Sequence, residues 1–441
     1  MSIFVNDNPA LKWTLAPDVD PDVFKVECFP DKTTRVVYKS EIDEVVFDVS
    51  GDDRVALSVV DADGVKAANE LVCTPPRIRY RGQYDADRPT AGQYREDIDP
   101  VLETYFSDGS AGVAAAVWKD GELVYRKSIG LSDVEANTAR SFEEPFEIAS
   151  VSKEFTAISI LQLVEKGMLS LDDTVGKFIP ELPYGDKVKI HHLLSHTSGL
   201  GSATQAENKS ILLPFDRADV IKALQENGPA FEPGSAYRYG NAGMTMLAMI
   251  AEDVSGIDRT TYVRKHILEP AGMTETRFLW ELSDEEHARF IKGYRLERDE
   301  LSLTHQDFHP TNPFGAGDLV STLSDLHKWH LALKDGTLIS RSMFDRATTQ
   351  VLLTDGTKSY RGFAFMIGWA NGTKMVYNSG DINTHTRHAF AAAEDLSIIL
   401  NTNVSFADDG GMPSTVRNQI NGKLMSTQML DFYGQTIDLN E

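Results

Sequence analysis

The segment Phe146-Glu-Ile-Ala-Ser150-Val-Ser-Lys153-Glu-Phe155 sets a hydroxyl and an amine three residues apart, where a loop gives way to a helix pattern. Residues at that spacing share a helical face, so Lys153 lies one turn along from Ser150 and beside its hydroxyl. A serine hydroxyl attacks a carbonyl only when a neighbouring base takes its proton. A lysine can be that base once burial or nearby positive potential brings its pKa down from ~10.4 towards neutrality. A helix N-terminus supplies such potential, and its free N–H groups suit a developing oxyanion. Ser-x-x-Lys arises by chance about once or twice in a chain of this length. Alone, the pair reads as a capping serine beside a solvated lysine.

A second constellation changes that reading. Phe231-Glu-Pro-Gly234-Ser-Ala-Tyr-Arg-Tyr239-Gly-Asn241-Ala-Gly243 is a Pro-Gly turn leading into a helix. Tyr239 and Asn241 stand two apart where the backbone is irregular, so both side chains can converge on one pocket. A tyrosine near a cation gives up its proton more readily and can act as acid or base. Asn241 has the donors and acceptor to hold Lys153 and a substrate carbonyl. The plain alternative is a buried tyrosine next to an Asn turn.

The elements that must position these groups follow from pattern. Residues 1 to about 90 read as short strands (Val23 to Phe29, Arg35 to Tyr38, Val45 to Val49, Arg54 to Val60), punctuated by turns such as Asp61-Ala-Asp-Gly64. A Pro-, Asp- and Arg-rich connector runs from Thr74 to Gly92. Ile98 to Phe106 suits an amphipathic helix, and Gly112 to Ile129 a hairpin turning at Asp120-Gly121. Helix patterns follow at Phe155 to Val164, Ala218 to Leu224, Met244 to Val254 and Asp325 to Leu333. Strand-like runs return at Gly362 to Trp369, Lys374 to Tyr377, His388 to Ala392 and Leu396 to Asn401, with a last helix around Val416 to Leu430. One sheet is thus expected from the two ends of residues 91–441, with a helical insertion at roughly 155–310 between them.

Composition narrows the function classes. The 441 residues are 41% hydrophobic and 25% charged, enough for a large core. Lys and Arg number 43 against 66 Asp and Glu, a net charge of −23 that repels phosphate backbones and argues against nucleic acid as a partner. Cys28 and Cys73 could form at most one bridge. Met1 to Leu11 lacks the basic and apolar regions of a leader, and runs such as Ala111 to Trp118 and Met244 to Ala251 fall short of the ~20 residues that span a bilayer. The chain reads as soluble and cytoplasmic, without a membrane partner. An exposed edge of the β module could pair two copies into a homo-oligomer. There is no Gly-x-Ser-x-Gly, P-loop or His-Glu-x-x-His. His191, His192 and His196 cluster without the further carboxylate or thiolate a metal would want, so neither metal nor cofactor is expected.

Further landmarks appear in order: His192-Leu-Leu-Ser-His196-Thr-Ser-Gly199-Leu, Glu269-Pro-Ala-Gly272-Met-Thr-Glu-Thr276, Gly315-Ala-Gly317-Asp-Leu-Val-Ser321-Thr-Leu-Ser-Asp325, and a final strand ending Leu400-Asn401. With Ser150-x-x-Lys153 and Tyr239-x-Asn241 before them, the chain resembles the serine β-lactamase-like hydrolases over roughly residues 95–441. That family comprises class C β-lactamases, DD-carboxypeptidases, D-aminopeptidases and family VIII carboxylesterases. The resemblance implies an α/β (α+β) fold: an antiparallel sheet flanked by helices, with an all-helical subdomain, here following a small N-terminal β-rich module. It implies that Ser150 forms an acyl-enzyme with an ester or amide, and that Lys153 and Tyr239 shuttle the proton. It makes the three histidines structural. The oxyanion hole would use the N–H of Ser150 and one from a late strand.

The third family motif, Lys-Thr-Gly or His-x-Gly, is where the chain departs. The matching stretch is Met375-Val-Tyr-Asn378-Ser379-Gly380-Asp381. Gly380 fits, and Asp381 would donate the second oxyanion N–H. Asn378 replaces the cation, and a neutral amide neither pairs with a substrate carboxylate nor polarises Tyr239. His385 or Arg387 could return a positive group to the pocket, or both could lie on the strand surface. The resulting expectation is a serine hydrolase of a small ester or amide, with Asn241, Asn378, Gly380, Asp381 and His385 on the substrate side. Ester is favoured. The rivals are a D-amino-acid amidase or D-aminopeptidase, an acyltransferase using the same acyl-enzyme, and a binding protein that has lost the chemistry.

Overall fold

The computed structural model describes residues 91–406 except 201–211, 213, 289, 298–299, 305–306 and 371–372; before residue 91 it describes strand segments only. The expected helix around Val416 to Leu430 lies outside the described residues. The chain divides into two compact units, Met1–Arg88 and Pro89–Glu441. In the first, Ser2–Phe4 pairs with Lys12–Thr14 and Phe24–Cys28 with Thr34–Tyr38. Glu44–Val49, Val55–Asp61 and Gly64–Leu71 form an antiparallel three-stranded sheet, Asp61 opposite Gly64 at the foreseen turn.

The second unit is built on six antiparallel strands: β1 (Val113–Lys119), β2 (Glu122–Ile129), β3 (Met366–Ala370), β4 (Thr373–Asp381), β5 (His385–Ala391) and β6 (Leu396–Thr402). Their order across the sheet is β3-β4-β5-β6-β1-β2, so the two ends of the unit meet where β6 pairs with β1. The unbroken apolar run of β1 has the pattern of a strand covered on both faces. Val113, Ala115 and Val117 face one cluster, with Ile98 and Leu102 of helix α1 (Ala91–Tyr105) and Phe106 just past its end. Ala114, Ala116 and Trp118 face a larger one, with Phe155 of α2 (Ser152–Glu165) and Trp329 further along the chain. Helix α3 (Asn241–Ser255) packs on α2, and α4 (Leu323–Lys334) lies on the sheet. Within the largely helical insertion, Tyr294–Glu297 and Glu300–Leu303 add a hairpin whose first strand runs parallel to Val404–Phe406.

Helix α2 is buried on all sides from Ser152 to Leu163, which explains its unbroken apolar character. Its one buried acid, Glu154, accepts from Trp329 Nε1 at 2.8 Å and lies 3.2 Å from His388 Nε2 on β5. His388 in turn meets His330 of α4 at 2.7 Å. These polar ties fix the helix between α4 and the sheet.

Several boundaries differ from expectation; β4 runs four residues past Tyr377 and β5 starts three before His388. Helix α1 begins seven residues early, because Gln93, Arg95 and Glu96 are good helix formers without an apolar period to betray them. The strand expected from Gly362 begins only at Met366. Ala364 is left-handed (φ 65°), and the Gly362 N–H donates to the Phe365 carbonyl, closing a turn there.

Candidate active site

Ser150 sits in a single 3-10 turn, Ala149–Val151, that runs directly into α2. Ala149 takes φ 45°, a left-handed conformation that costs an L-residue about 1–2 kcal/mol, so the surrounding contacts must hold it. They do. The Ile148 N–H donates to the Leu319 carbonyl, and the Leu319 N–H donates to Ser152 Oγ. Strand β4 passes so close to this turn that a Cβ on Gly380 would lie 2.0 Å from the Ile148 carbonyl oxygen and 3.1 Å from the Ser150 nitrogen. Thr384 Oγ1, in the β4–β5 turn, donates to the Glu147 carbonyl at 2.8 Å. Gly380→Ala is therefore expected to displace the serine by a large fraction of an ångström. The expected result is a ~10²-fold loss of kcat and a Tm lowered by at least ~2 °C, read by steady-state kinetics and thermal unfolding.

Lys153 Nζ lies 2.9 Å from Ser150 Oγ and donates to the Ala316 carbonyl at 2.7 Å. The Gly315-Ala-Gly317 stretch exists to present that carbonyl. Gly315 is left-handed (φ 74°), with Ala248 Cβ 2.5 Å from where its own Cβ would be. Its N–H donates to Asp318 Oδ2, which also receives Arg259 Nε at 2.6 Å. Lys153 is 2% exposed, and that burial lowers its pKa; the nearby Tyr239 opposes the shift and Arg361 adds to it.

The Tyr239 hydroxyl donates to the same Ser150 Oγ at 2.7 Å. The His192–Leu200 motif holds the segment that carries it. The N–H groups of Ala230, Gly234 and Arg238 donate to the carbonyls of Gly199, Thr197 and His196 at 2.7–2.9 Å. Desolvation acts to raise the pKa of Tyr239. Lys153, its hydrogen bond and that of Ser150, and Arg361 outweigh it and bring the phenol below its ordinary value.

The structure thus brings Ser150, Lys153, Tyr239 and Gly380 together. It treats the other expected residues differently. Asn241 opens α3 and is exposed; Lys153 is held by the Ala316 carbonyl instead. Asn378 is 5% exposed and spends its amide on backbone, donating to the Ala364 carbonyl at 2.9 Å and accepting from the Ser379 N–H at 3.0 Å. His385 and Arg387 are neither free cations in the pocket nor surface residues. Both are buried, and both reach Asp381 Oδ1 at 2.8 Å. Burial pushes the Asp381 carboxyl up, but Arg387 and His385 hold it well below the usual carboxylate range.

Two neighbours were not among the expected site residues. His196 packs its ring 4.8 Å from that of Tyr239; burial, then Arg361 and Lys153, depress its pKa far enough to keep it neutral. Arg361 stands over the rings of Tyr239, Tyr237 and Tyr360, a cation that no spacing in the sequence links to Ser150.

A family model described as Beta-lactamase matches residues 95–419. Penicillin-binding protein 4* of Bacillus subtilis (strain 168) is 30% identical over 290 residues, 62% of this chain and 63% of its own length; the match thus spans less than two thirds of that relative. Among solved structures, the octameric penicillin-binding protein homologue from Pyrococcus abyssi is 27% identical with a TM-score of 0.61, covering 77% of this chain and 78% of that one. D-amino acid amidase from Ochrobactrum anthropi SV3 aligns over 76% of this chain and 97% of its own with a TM-score of 0.65; at 20% identity this is a likeness of fold. No helix among the described residues is long and apolar enough to cross a membrane.

Proposed function

Since the chain belongs to the beta-lactamase family of serine hydrolases, we propose that it cleaves a small ester or amide through an acyl-enzyme on Ser150. The observation that carries this reading is the convergence of Lys153 Nζ and the Tyr239 hydroxyl on one oxygen, Ser150 Oγ, at 2.9 and 2.7 Å. A neutral amine keeps two N–H groups, so Lys153 can donate to the Ala316 carbonyl while its lone pair accepts the serine proton. The freed Oγ adds to the substrate carbonyl. The N–H groups of Ser150 and Asp381 take the oxyanion. The proton passes through Tyr239 to the departing alcohol or amine, and the acyl group stays on Ser150. Water then adds by the same path in reverse, releasing the acid.

Ester substrates come first in this reading. The Asn378 amide is committed to backbone, so β4 offers no side-chain cation for a substrate carboxylate at that position. The name of the Ochrobactrum amidase keeps an amide of a D-amino acid as the second reading, and acyl transfer to another acceptor would use the same intermediate. The test is pre-steady-state hydrolysis of p-nitrophenyl acetate, D-alanine p-nitroanilide and nitrocefin side by side. The expected result is a burst of one product per enzyme with the acetate and slower amide turnover. Absence of a burst and of covalent acyl mass with all three substrates would overturn the proposal.

Tyr239→Phe should lower kcat by ~10² to 10³-fold, the range for removing a positioned proton-transfer group. Circular dichroism should stay unchanged, because only one hydroxyl is lost, from a residue that is 42% exposed.

A further inference from the structure

Resting on that reading of the site, we propose that Arg361 is its positioning cation: the guanidinium sets the charge state of the Lys153–Tyr239 pair in place of the cation that Asn378 displaces from β4. Arg361 is 6% exposed, and its Nε has no hydrogen-bond partner among the described residues. A buried guanidinium normally finds a carboxylate. This one is enclosed by phenols, with Cζ 5.3 Å from the ring centre of Tyr239, 5.8 Å from Tyr237 and 5.7 Å from Tyr360. Among the described residues, its charge is held by the surrounding tyrosines, Tyr237 and Tyr360 foremost, and not by a carboxylate.

Backbone fixes the residue in place. The Arg361 carbonyl accepts from the Val351 N–H at 3.0 Å, and its N–H donates to Ser359 Oγ at 3.1 Å. The left-handed Ala364 donates its N–H to the Leu194 carbonyl, in the motif whose next turn carries His196. The two segments that face Tyr239 are thereby tied to each other.

The electrostatic surroundings are these. The Tyr239 ring is faced by Lys153 Nζ at 5.1 Å, by Arg361 at 5.3 Å and by the neutral His196 ring at 4.8 Å. Arg361 is faced by Tyr237 and Tyr360, of which burial pushes Tyr237 up. Asp318 acts on Lys153 in the opposite sense to Arg361 and is itself paired with Arg259. A fixed positive charge at this range favours the neutral amine over the ammonium and the phenolate over the phenol. Both effects move the pair towards the form that accepts the serine proton at neutral pH. The guanidinium acts through Tyr239 and Lys153 and does not itself touch the reacting atoms.

The experiment is the pH profile of kcat/KM for p-nitrophenyl acetate, a neutral ester, in wild type, Arg361→Met, Arg361→Gln and Arg361→Lys. Removing the charge should raise both pKa values, so both limbs should move up by about one pH unit, with a ~10-fold loss at pH 7 that is largely recovered at higher pH. Arg361→Lys, which keeps a charge, should stay near the wild-type limbs. Burst amplitude, normalised to protein, separates loss of folded enzyme from a change in the relay. Limbs that stay in place in both neutral variants would overturn the proposal. So would a defect confined to KM for a carboxylate-bearing ester such as p-nitrophenyl hydrogen succinate, which would make Arg361 a substrate-binding group. Should neither neutral variant fold, a wild-type profile with no limb between pH 5 and 9 overturns it instead. Failure of the underlying reading looks different: wild type then shows no burst at any pH.

Discussion

With Ser150 replaced by alanine, the burst of p-nitrophenol is expected to vanish and turnover to fall by ~10⁴-fold or more, the scale seen when the nucleophile of an acyl-enzyme mechanism is removed. The size of the effect follows from geometry. Lys153 and Tyr239 both address Oγ, the atom proposed to carry the acyl group. Removing it leaves Lys153 still bonded to the Ala316 carbonyl, so the fold should survive with little change in Tm. Mass spectrometry of the enzyme after exposure to substrate should show the acyl adduct on wild type and none on the variant. A Ser150→Ala enzyme that hydrolyses at the wild-type rate would rule out this nucleophile.

Lys153→Met is the second large effect. Loss of the base should lower kcat/KM by ~10³ to 10⁴-fold. In wild type, activity should rise with pH as the lysine, its pKa lowered by burial, gives up its proton. That limb should disappear in the variant. Stability carries the same signature. The folded-state pKa lies below the unfolded value of ~10.4, so between the two the unfolded chain binds more protons and stability climbs with pH. Below the folded pKa the full cost of burying the ammonium applies. Wild-type Tm should therefore increase towards alkaline pH more steeply than that of Lys153→Met. The slope is the readout, because the orphaned Ala316 carbonyl shifts the absolute Tm by its own amount. Equal slopes would mean that Lys153 is not held under this constraint.

Residues that act on near neighbours in the chain were legible beforehand. Ser150 and Lys153 share a helical face, a local relation that spacing reveals. The strands β1 and β6 announced themselves by apolar runs, since both faces of each are covered, whereas β5 was legible only from His388 on because His385-Thr-Arg387 is polar. Gly380 was legible only as a match to the family motif; the structure supplies the reason, a strand passing too close to another backbone to hold a side chain. What stayed hidden depends on distant segments. Arg361 lies on the turn that precedes β3, whose Ala364 is left-handed, and nothing in Ser359-Tyr-Arg-Gly-Phe places that turn beside Tyr239. The partners of Asn378, His385 and Arg387 were equally out of reach. A side chain on a central strand meets the covering loop or its hairpin neighbour, and the sequence does not name either. The Ala316 carbonyl is a backbone group, which residue type cannot flag.

The pairing of β6 with β1 joins residues nearly three hundred positions apart and lies inside the sheet rather than at an edge. Such a contact gives the unit a high contact order, and closing so long a loop comes late in folding. On the ribosome, the sheet cannot close until residue 402 has left the exit tunnel, long after Ser150 and Lys153 have emerged. Ser150 therefore spends most of synthesis without strand β4 against its turn, and a nascent chain cut short before β6 should bind chaperones rather than turn over substrate.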